Sequence, residues 1–183
     1  MSGPSGAGKG TLIEGILPRF PHVEVAVSAT TRPIRPGEID GRDYHFLTPG
    51  EFEARVAAGE FLEHVTYAGN RYGTLRSEVD RIIAAHRWPL VEIELAGARA
   101  VRANVPGAVA VFIAPPSLSE LERRLEERGT DSEGAIAERL ATSRVELAAM
   151  NEFDHVIVNE DVGAAIEELA KVLVAATGRG PHG

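Results

Sequence analysis

The chain of 183 residues has no cysteine, only two lysines and one tryptophan, and no apolar run near the roughly 20 residues that span a bilayer. Without cysteine there can be no disulfide and no thiolate metal site, and nothing points to an oxidising compartment, so the cytoplasm is the expected location. The six histidines have no metal-ligand spacing. A formal net charge of −8 argues against a nucleic-acid backbone as partner, because that mode of binding depends on neutralising many phosphates. A small anion held by a local arginine cluster remains compatible with this charge. The length suits one domain with at most one sizeable insertion, large enough to bury a proper core.

Arginine outnumbers lysine 17 to two, and one of the two, Lys9, falls in the most informative segment of the chain. Residues 1–11 read Met1-Ser-Gly-Pro-Ser-Gly-Ala-Gly-Lys-Gly-Thr11, a phosphate-binding loop from Gly3 through Pro4, Ser5, Gly6, Ala7 and Gly8 to Lys9. Glycines let backbone N–H groups turn toward a phosphate, the following helix presents its positive end, and lysine adds a charge. Gly10 replaces the usual hydroxyl residue after the lysine, so Thr11 is the candidate hydroxyl, either to a phosphate or to a magnesium-bound water. Such a loop hangs from the end of a buried parallel strand. Only Met1 and Ser2 precede Gly3, so the first strand is expected to be missing, and a chain extended upstream is expected to be more stable and more active.

Apolar periodicity and capping signals predict a helix over Gly10–Leu17 and a strand over Val23–Val27. Ser28–Phe46 reads as loop, and Thr48-Pro-Gly-Glu51 as a capping box for a helix to about Ala58. Further on, Phe61–Tyr67 is an expected strand and Ser77 to about Arg87 a helix ended by Trp88-Pro89. Leu90–Leu95 and Ala108–Ile113 read as the best buried strands, around a helical run over Gly97–Asn104. Ser117 caps a charged helix to Arg128, Gly129 breaks it, and Thr130-Asp-Ser-Glu133 caps the next to about Met150. A strand over Asp154–Asn159, a helix over Val162–Thr177 and a frayed tail complete the chain. This alternation predicts an α/β fold with a mostly parallel, helix-covered sheet, interrupted by an inserted substrate lobe over 28–80.

A second basic cluster lies in Ser28-Ala-Thr-Thr-Arg-Pro-Ile-Arg35, continuing through Gly37-Glu38 to Tyr44. Arg32 and Arg35 can converge on a phosphate through their planar forks of donors, or can simply be solvated. Taken with Phe61-Leu-Glu-His64, Gly69-Asn-Arg-Tyr-Gly-Thr74, Arg128-Gly-Thr130 and Val156-Ile-Val-Asn159, these segments occur in family order over nearly the whole chain. The sequence resembles the guanylate kinases, P-loop enzymes that phosphorylate GMP from ATP.

The resemblance implies a three-layer P-loop fold with a core of 1–27, 90–122 and 150–178, a GMP-binding lobe over 28–80 and a helical lid over 123–149. It implies that Arg32, Arg35, Tyr44 and Tyr72 hold the GMP phosphate, while Ser28, Glu63 and Thr74 address the base. Guanine offers N1–H and N2–H donors beside an O6 acceptor, so the Glu63 carboxylate can accept twice and the Thr74 hydroxyl can donate. His64 reads as a polar neighbour of Glu63. On the ATP side the resemblance adds Arg128 and Arg139 as catalytic lid arginines beside Lys9 and Arg35. Arg124 joins the ATP-binding set, though Arg124 and Arg144 could equally form salt bridges with Glu120, Glu127 or Glu146, and Asn159 matches an adenine-side loop. Glu92 and Glu94 stand where the family more often has aspartate, with Glu94 on the GMP side and within reach of magnesium through water.

The activity implied is Mg²⁺-dependent phosphoryl transfer from ATP to GMP, with dGMP also an acceptor. No nucleic-acid or membrane partner is expected, and the chain is expected to be a monomer or weak homo-oligomer. A kinase for another nucleoside monophosphate and a catalytically impaired nucleotide- or protein-binding module are the alternatives.

Overall fold

The computed structural model describes residues 1–67, 69–127 and 133–181, the side chain of residue 133 excepted. These fall into two compact units, one formed by 1–21 with 109–183 and the other by 22–108. The expected lobe over 28–80 lies within the second unit.

In the first unit, helix α1 (Lys9–Ile16) buries Leu12, Ile13 and Ile16, and a 3-10 turn (Leu17–Arg19) takes Pro18 in its first positions, where a missing N–H is harmless. Helix α7 (Val162–Thr177) is the partner of α1. It is capped by the Asp161 carboxylate on the N–H of Ala164, ends at Gly178 in the left-handed region, and buries Ala165, Leu169 and Ala170. Arg19 and Glu167 tie α7 to the 3-10 turn that follows α1, at 2.6 Å.

Strand β7 (Val111–Ala114) is buried at every position and pairs in parallel with β8 (His155–Val158), where only Ile157 is buried. A continuous apolar run marks a strand covered on both faces, and alternation marks an edge. Ser2 bonds to β7 on both sides, its N–H to Val111 O at 2.9 Å and its carbonyl from Ile113 N–H at 2.8 Å, so the phosphate loop leaves directly from this parallel bridge. Helices α5 (Leu118–Glu127) and α6 (Glu133–Ala148) complete the unit.

The second unit holds a parallel pair, β1 (Val23–Val25) with β6 (Trp88–Leu90), and a four-stranded mixed sheet. That sheet runs β3 (His45–Phe46), β2 (Ala29–Thr30), β5 (Asn70–Leu75) and β4 (Phe61–Tyr67). The expected loop over Ser28–Phe46 therefore contains two short strands, β2 formed by pairing to β5 and β3 by pairing to β2, and not by their own propensity. Helix α2 (Pro49–Ala57) starts at the capping box read from Thr48 and Glu51, and its Phe52 packs with Ala29, Phe61 and Leu75 under one face of the sheet.

Several boundaries differ from expectation: the strand over Val23–Val27 ends at Val25, that over Ala108–Ile113 starts only at Val111, and the helix expected to about Arg87 ends at Ala84. Helix α3 (Arg76–Ala84) begins one residue before Ser77, directly out of β5, without a side-chain cap. Of the expected strand over Leu90–Leu95 only Leu90 belongs to a strand, β6; Glu94 keeps an extended backbone, and Leu95 already opens helix α4 (Leu95–Asn104). Ala26 N–H still donates to Leu90 O at 2.9 Å, and Val27 N–H, which faces the opposite side of the chain, donates to the Glu78 carboxylate at 3.2 Å.

Candidate active site

The phosphate loop folds as its glycines allow. Gly8 caps α1 with φ +90°, and a Cβ there would lie 2.3 Å from the amide nitrogen of Asn159. Any other residue would meet both backbone strain and that clash. Behind the loop, Leu121 and Leu125 of α5 are wholly buried and approach Gly6, which brings their helical neighbour Arg124 to the same side. Arg124 donates Nε–H to Glu120 at 2.8 Å and Nη2–H to the Asn159 carbonyl at 3.0 Å. Hydrogen bonds first from Arg123 and then from Arg124 hold the Glu120 carboxyl down to about 2, so it stays a charged anchor.

From α6, Arg139 reaches the loop itself, donating to Ser5 Oγ at 3.2 Å. Lys9 folds over the loop and donates its ammonium to the carbonyls of Gly3 at 2.7 Å and Pro4 at 3.2 Å. Gly10 and Thr11, in the first turn of α1, are exposed. The Asn159 side chain is buried, gives its amide to Ala7 O at 2.8 Å, and leaves Oδ1 without a hydrogen-bond partner among the described residues. Arg144 is exposed on α6, and the expected catalytic Arg128, with Gly129 and Thr130, lies outside the described residues.

In the second unit, strand register gathers most of the residues expected around GMP. Glu63 pairs with Thr74 and Val65 with Tyr72 across β4 and β5, while Thr30 faces Tyr72 across β2 and β5. Continuing that antiparallel register one step sets Ser28 opposite Thr74. Directly opposed residues share a face, so Ser28, Thr74, Glu63 and Tyr72 line the face away from the Phe52 cluster. A bulge between Phe61 and Glu63 makes this possible. Strict alternation would put both side chains on one face; the extra residue sends Phe61 to the apolar side and Glu63 to the polar side. His64 points to the apolar side, its ring edge-on to Phe52 and Phe61, so it is Glu63's neighbour in sequence but not in environment.

Glu63 is only 5% exposed although it sits on an edge strand. Its Oε1 accepts the Thr74 hydroxyl proton at 2.8 Å. The expectation that Thr74 donates to guanine O6 meets a competitor here, since a hydroxyl has a single proton. Burial pushes the Glu63 carboxyl above the usual carboxylate range, the Thr74 bond opposes this, and nearby Glu94 adds to the rise. Glu94 is half-buried at the start of α4, and Glu92 is exposed.

The arginine cluster behaves differently for its two members. Arg32 is not solvated: its side chain is 10% exposed and its guanidinium forks onto both Glu38 oxygens, at 2.6 and 3.0 Å. It also stacks over the rings of Tyr44 and Phe46, 5.3 and 5.7 Å from their centroids. The Arg35 guanidinium is exposed, while its backbone N–H donates to Glu38 at 2.7 Å. Tyr44 stands edge-on to Tyr72 at 6.1 Å, and burial, followed by Tyr72, raises its phenol above the ordinary value, keeping it a proton donor. Glu38 was not among the expected site residues. Its position three residues after Arg35, across a Pro-Gly turn, is the signal that could have found it.

A glycine-rich loop closing on a helix N-terminus, with Lys9 and Arg139 brought to it, is built for the phosphates of a nucleotide and marks a P-loop phosphotransferase. The guanylate kinase family model matches residues 1–176. The guanylate kinase of Frankia casuarinae is 52% identical over 174 residues, covering 95% of both chains. That of Thermobifida fusca is 51% identical over 175 residues, 96% of this chain and 89% of the relative. The crystal structure of guanylate kinase from Anaplasma phagocytophilum superposes with a TM-score of 0.76 at 30% identity, over 97% of this chain and 84% of that one. The chain belongs to the guanylate kinase family.

Proposed function

We propose a division of labour for the guanylate kinase reaction, ATP + GMP giving ADP + GDP, in which the first unit holds ATP and the second holds GMP. The observation that carries the acceptor assignment is the buried Glu63 carboxylate, fixed by Thr74 on a polar sheet face that also bears Tyr72. A buried carboxylate needs donors, and guanine N1–H and N2–H supply two side by side, whereas adenine supplies no such pair. Thr74 acts by orienting Glu63, and Ser28, at its flank, is the hydroxyl left to donate to O6. Arg32, Arg35, Tyr44 and Tyr72 take the GMP phosphate, with Arg35 exposed and ready to move onto it.

On the ATP side the backbone from Gly3 to Gly10 cradles the phosphates with Lys9, and Arg124, Arg128 and Arg139 add positive charge. A GMP phosphate oxygen forms the new P–O bond as the bond from the terminal phosphorus to the ADP oxygen breaks. Charge spreads over the equatorial oxygens, where Lys9, Arg35, Arg128 and Arg139 neutralise it. Mg²⁺ carried with ATP would share that neutralisation; it takes most of its oxygens from phosphate and water. The exposed Thr11 hydroxyl, two residues beyond Lys9, fits a remaining position directly or through water. No helix among the described residues is long and apolar enough to cross a membrane. A cytoplasmic enzyme, monomeric or weakly self-associating, that also accepts dGMP and binds neither membrane nor nucleic acid completes the reading.

Rates of ADP formation with GMP, dGMP, AMP and UMP as acceptors test it. GMP and dGMP should be used at least about a hundredfold better than AMP, as befits a site whose polar groups go unpaired with the wrong base. Equal use of AMP would favour a kinase of other specificity. No turnover with any acceptor, with nucleotide binding intact, would favour a binding module.

A further inference from the structure

We infer that Gly97 is a positioning residue for guanine selection: the missing side chain at this point of α4 is what lets the Glu63 carboxylate occupy its place. A Cβ built at Gly97 would lie 2.5 Å from Glu63 Oε2 and 3.0 Å from its carboxyl carbon, with Ile93 Cβ at 3.3 Å behind it. The carboxylate is thus bracketed, Oε1 taking the Thr74 proton at 2.8 Å and Oε2 lying against the bare backbone of Gly97. Gly97 is buried in the first turn of α4, in an ordinary helical conformation, so the position does not demand glycine on backbone grounds. Within a helix, alanine is intrinsically the better residue. Its local use is steric: it reserves space for a carboxylate on a different element.

The inference rests on the reading that Glu63 accepts from guanine. A methyl group at 97 cannot coexist with Oε2 where it is, so the carboxylate, the far end of a flexible side chain, must shift from the position in which Thr74 holds it. Shortening Glu63 to aspartate withdraws the carboxyl group by one methylene and should remove the conflict. The two positions are therefore expected to be coupled, where independent sites would add.

The test is the ratio of kcat/KM for GMP to that for AMP, together with the KM for ATP and the melting temperature, in Gly97→Ala, Glu63→Asp, the combined variant and Glu63→Gln. Gly97→Ala is expected to lower the GMP preference by about tenfold or more while leaving the KM for ATP unchanged. In the Glu63→Asp background, adding Gly97→Ala should change the ratio by less than about twofold. An unchanged ratio in Gly97→Ala, or an equal loss from it in both backgrounds, overturns the inference. Should Gly97→Ala alone fold poorly, the combined variant must still fold and match Glu63→Asp; failure to do so is equally contrary. Glu63→Gln separates the two levels. If it loses preference and Gly97→Ala does not, only the positioning role fails; if Glu63→Gln keeps its preference, the base-pocket reading fails and the inference with it.

Discussion

Asn159 donates its side-chain amide to the Ala7 carbonyl across 2.8 Å, and this bond decides which way the Ala7–Gly8 peptide faces. In a trans peptide the carbonyl and the following N–H point in opposite directions. Holding Ala7 O toward Asn159 turns the Gly8 N–H away from it and leaves that donor for an anion. The residue expected on the adenine side thus also serves the phosphate loop.

Replacing Asn159 should therefore act through ATP. In Asn159→Ala the buried Ala7 oxygen loses its donor, a cost of roughly 1–3 kcal/mol. The melting temperature should fall by several degrees and the KM for ATP should rise, with the KM for GMP little changed. Asn159→Asp should be worse than alanine at neutral pH, because it sets a carboxylate oxygen against the Ala7 oxygen. Thermal unfolding and steady-state kinetics of the two variants check the order.

Glu38 holds Arg32 by its fork and Arg35 by its backbone, and its own carboxyl sits below the usual range, first through Arg32 and then through the Arg35 N–H. Glu38→Ala should leave both arginines without a common anchor and raise the KM for GMP by about three- to tenfold, with the KM for ATP unchanged. Initial rates over a GMP titration decide this, and a KM shift for ATP of the same size would contradict it.

The raised Glu63 carboxyl has two consequences of defined sign. A carboxyl whose folded-state pKa lies above its unfolded value contributes stability below the unfolded value, near 4.3, and that contribution is lost as pH rises through the raised value. At neutral pH the ionised group is therefore a cost to the empty protein, and Glu63→Gln should melt at or above the parent temperature while losing GMP preference. As pH falls, protonation removes the acceptor, so the GMP preference should decline at a pH above that of an ordinary carboxylate. Melting curves at pH 7 and rate–pH profiles for GMP and AMP test both.

What the sequence made legible was chemistry that is local. The Thr48–Glu51 capping box, the strand over Phe61–Tyr67 and the helix over Val162–Thr177 appear where their own residues place them. What it hid depends on partners distant in the chain. Strand β5 carries Gly73 and little apolar pattern, and it exists because β2 and β4 pair with it on either side. The run Leu90–Leu95 looks like a strand, yet only its first residue, Leu90, has a strand partner, Val25 of β1. The site shows the same division. The loop and the Arg32–Arg35 pair stood out as residue types at a spacing and Glu63 through the family resemblance, whereas the bulge that turns Glu63 to the polar face, the Glu38 fork and the Thr74 bond are products of register.

In the proposed reaction Lys9 and Arg35 serve opposite substrates of one phosphoryl transfer, and the kinetic split between Lys9→Ala and Arg35→Ala is the measurement that separates their roles. Lys9→Ala is expected to lower kcat by about a hundredfold or more, with the KM for GMP within about threefold of the parent. Arg35→Ala is expected to lower kcat/KM for GMP by about ten- to a hundredfold while the KM for ATP holds. If Arg35→Ala left both kcat and the KM for GMP within about twofold, an effect under ~0.4 kcal/mol, Arg35 would be a solvated side chain with no part in holding GMP.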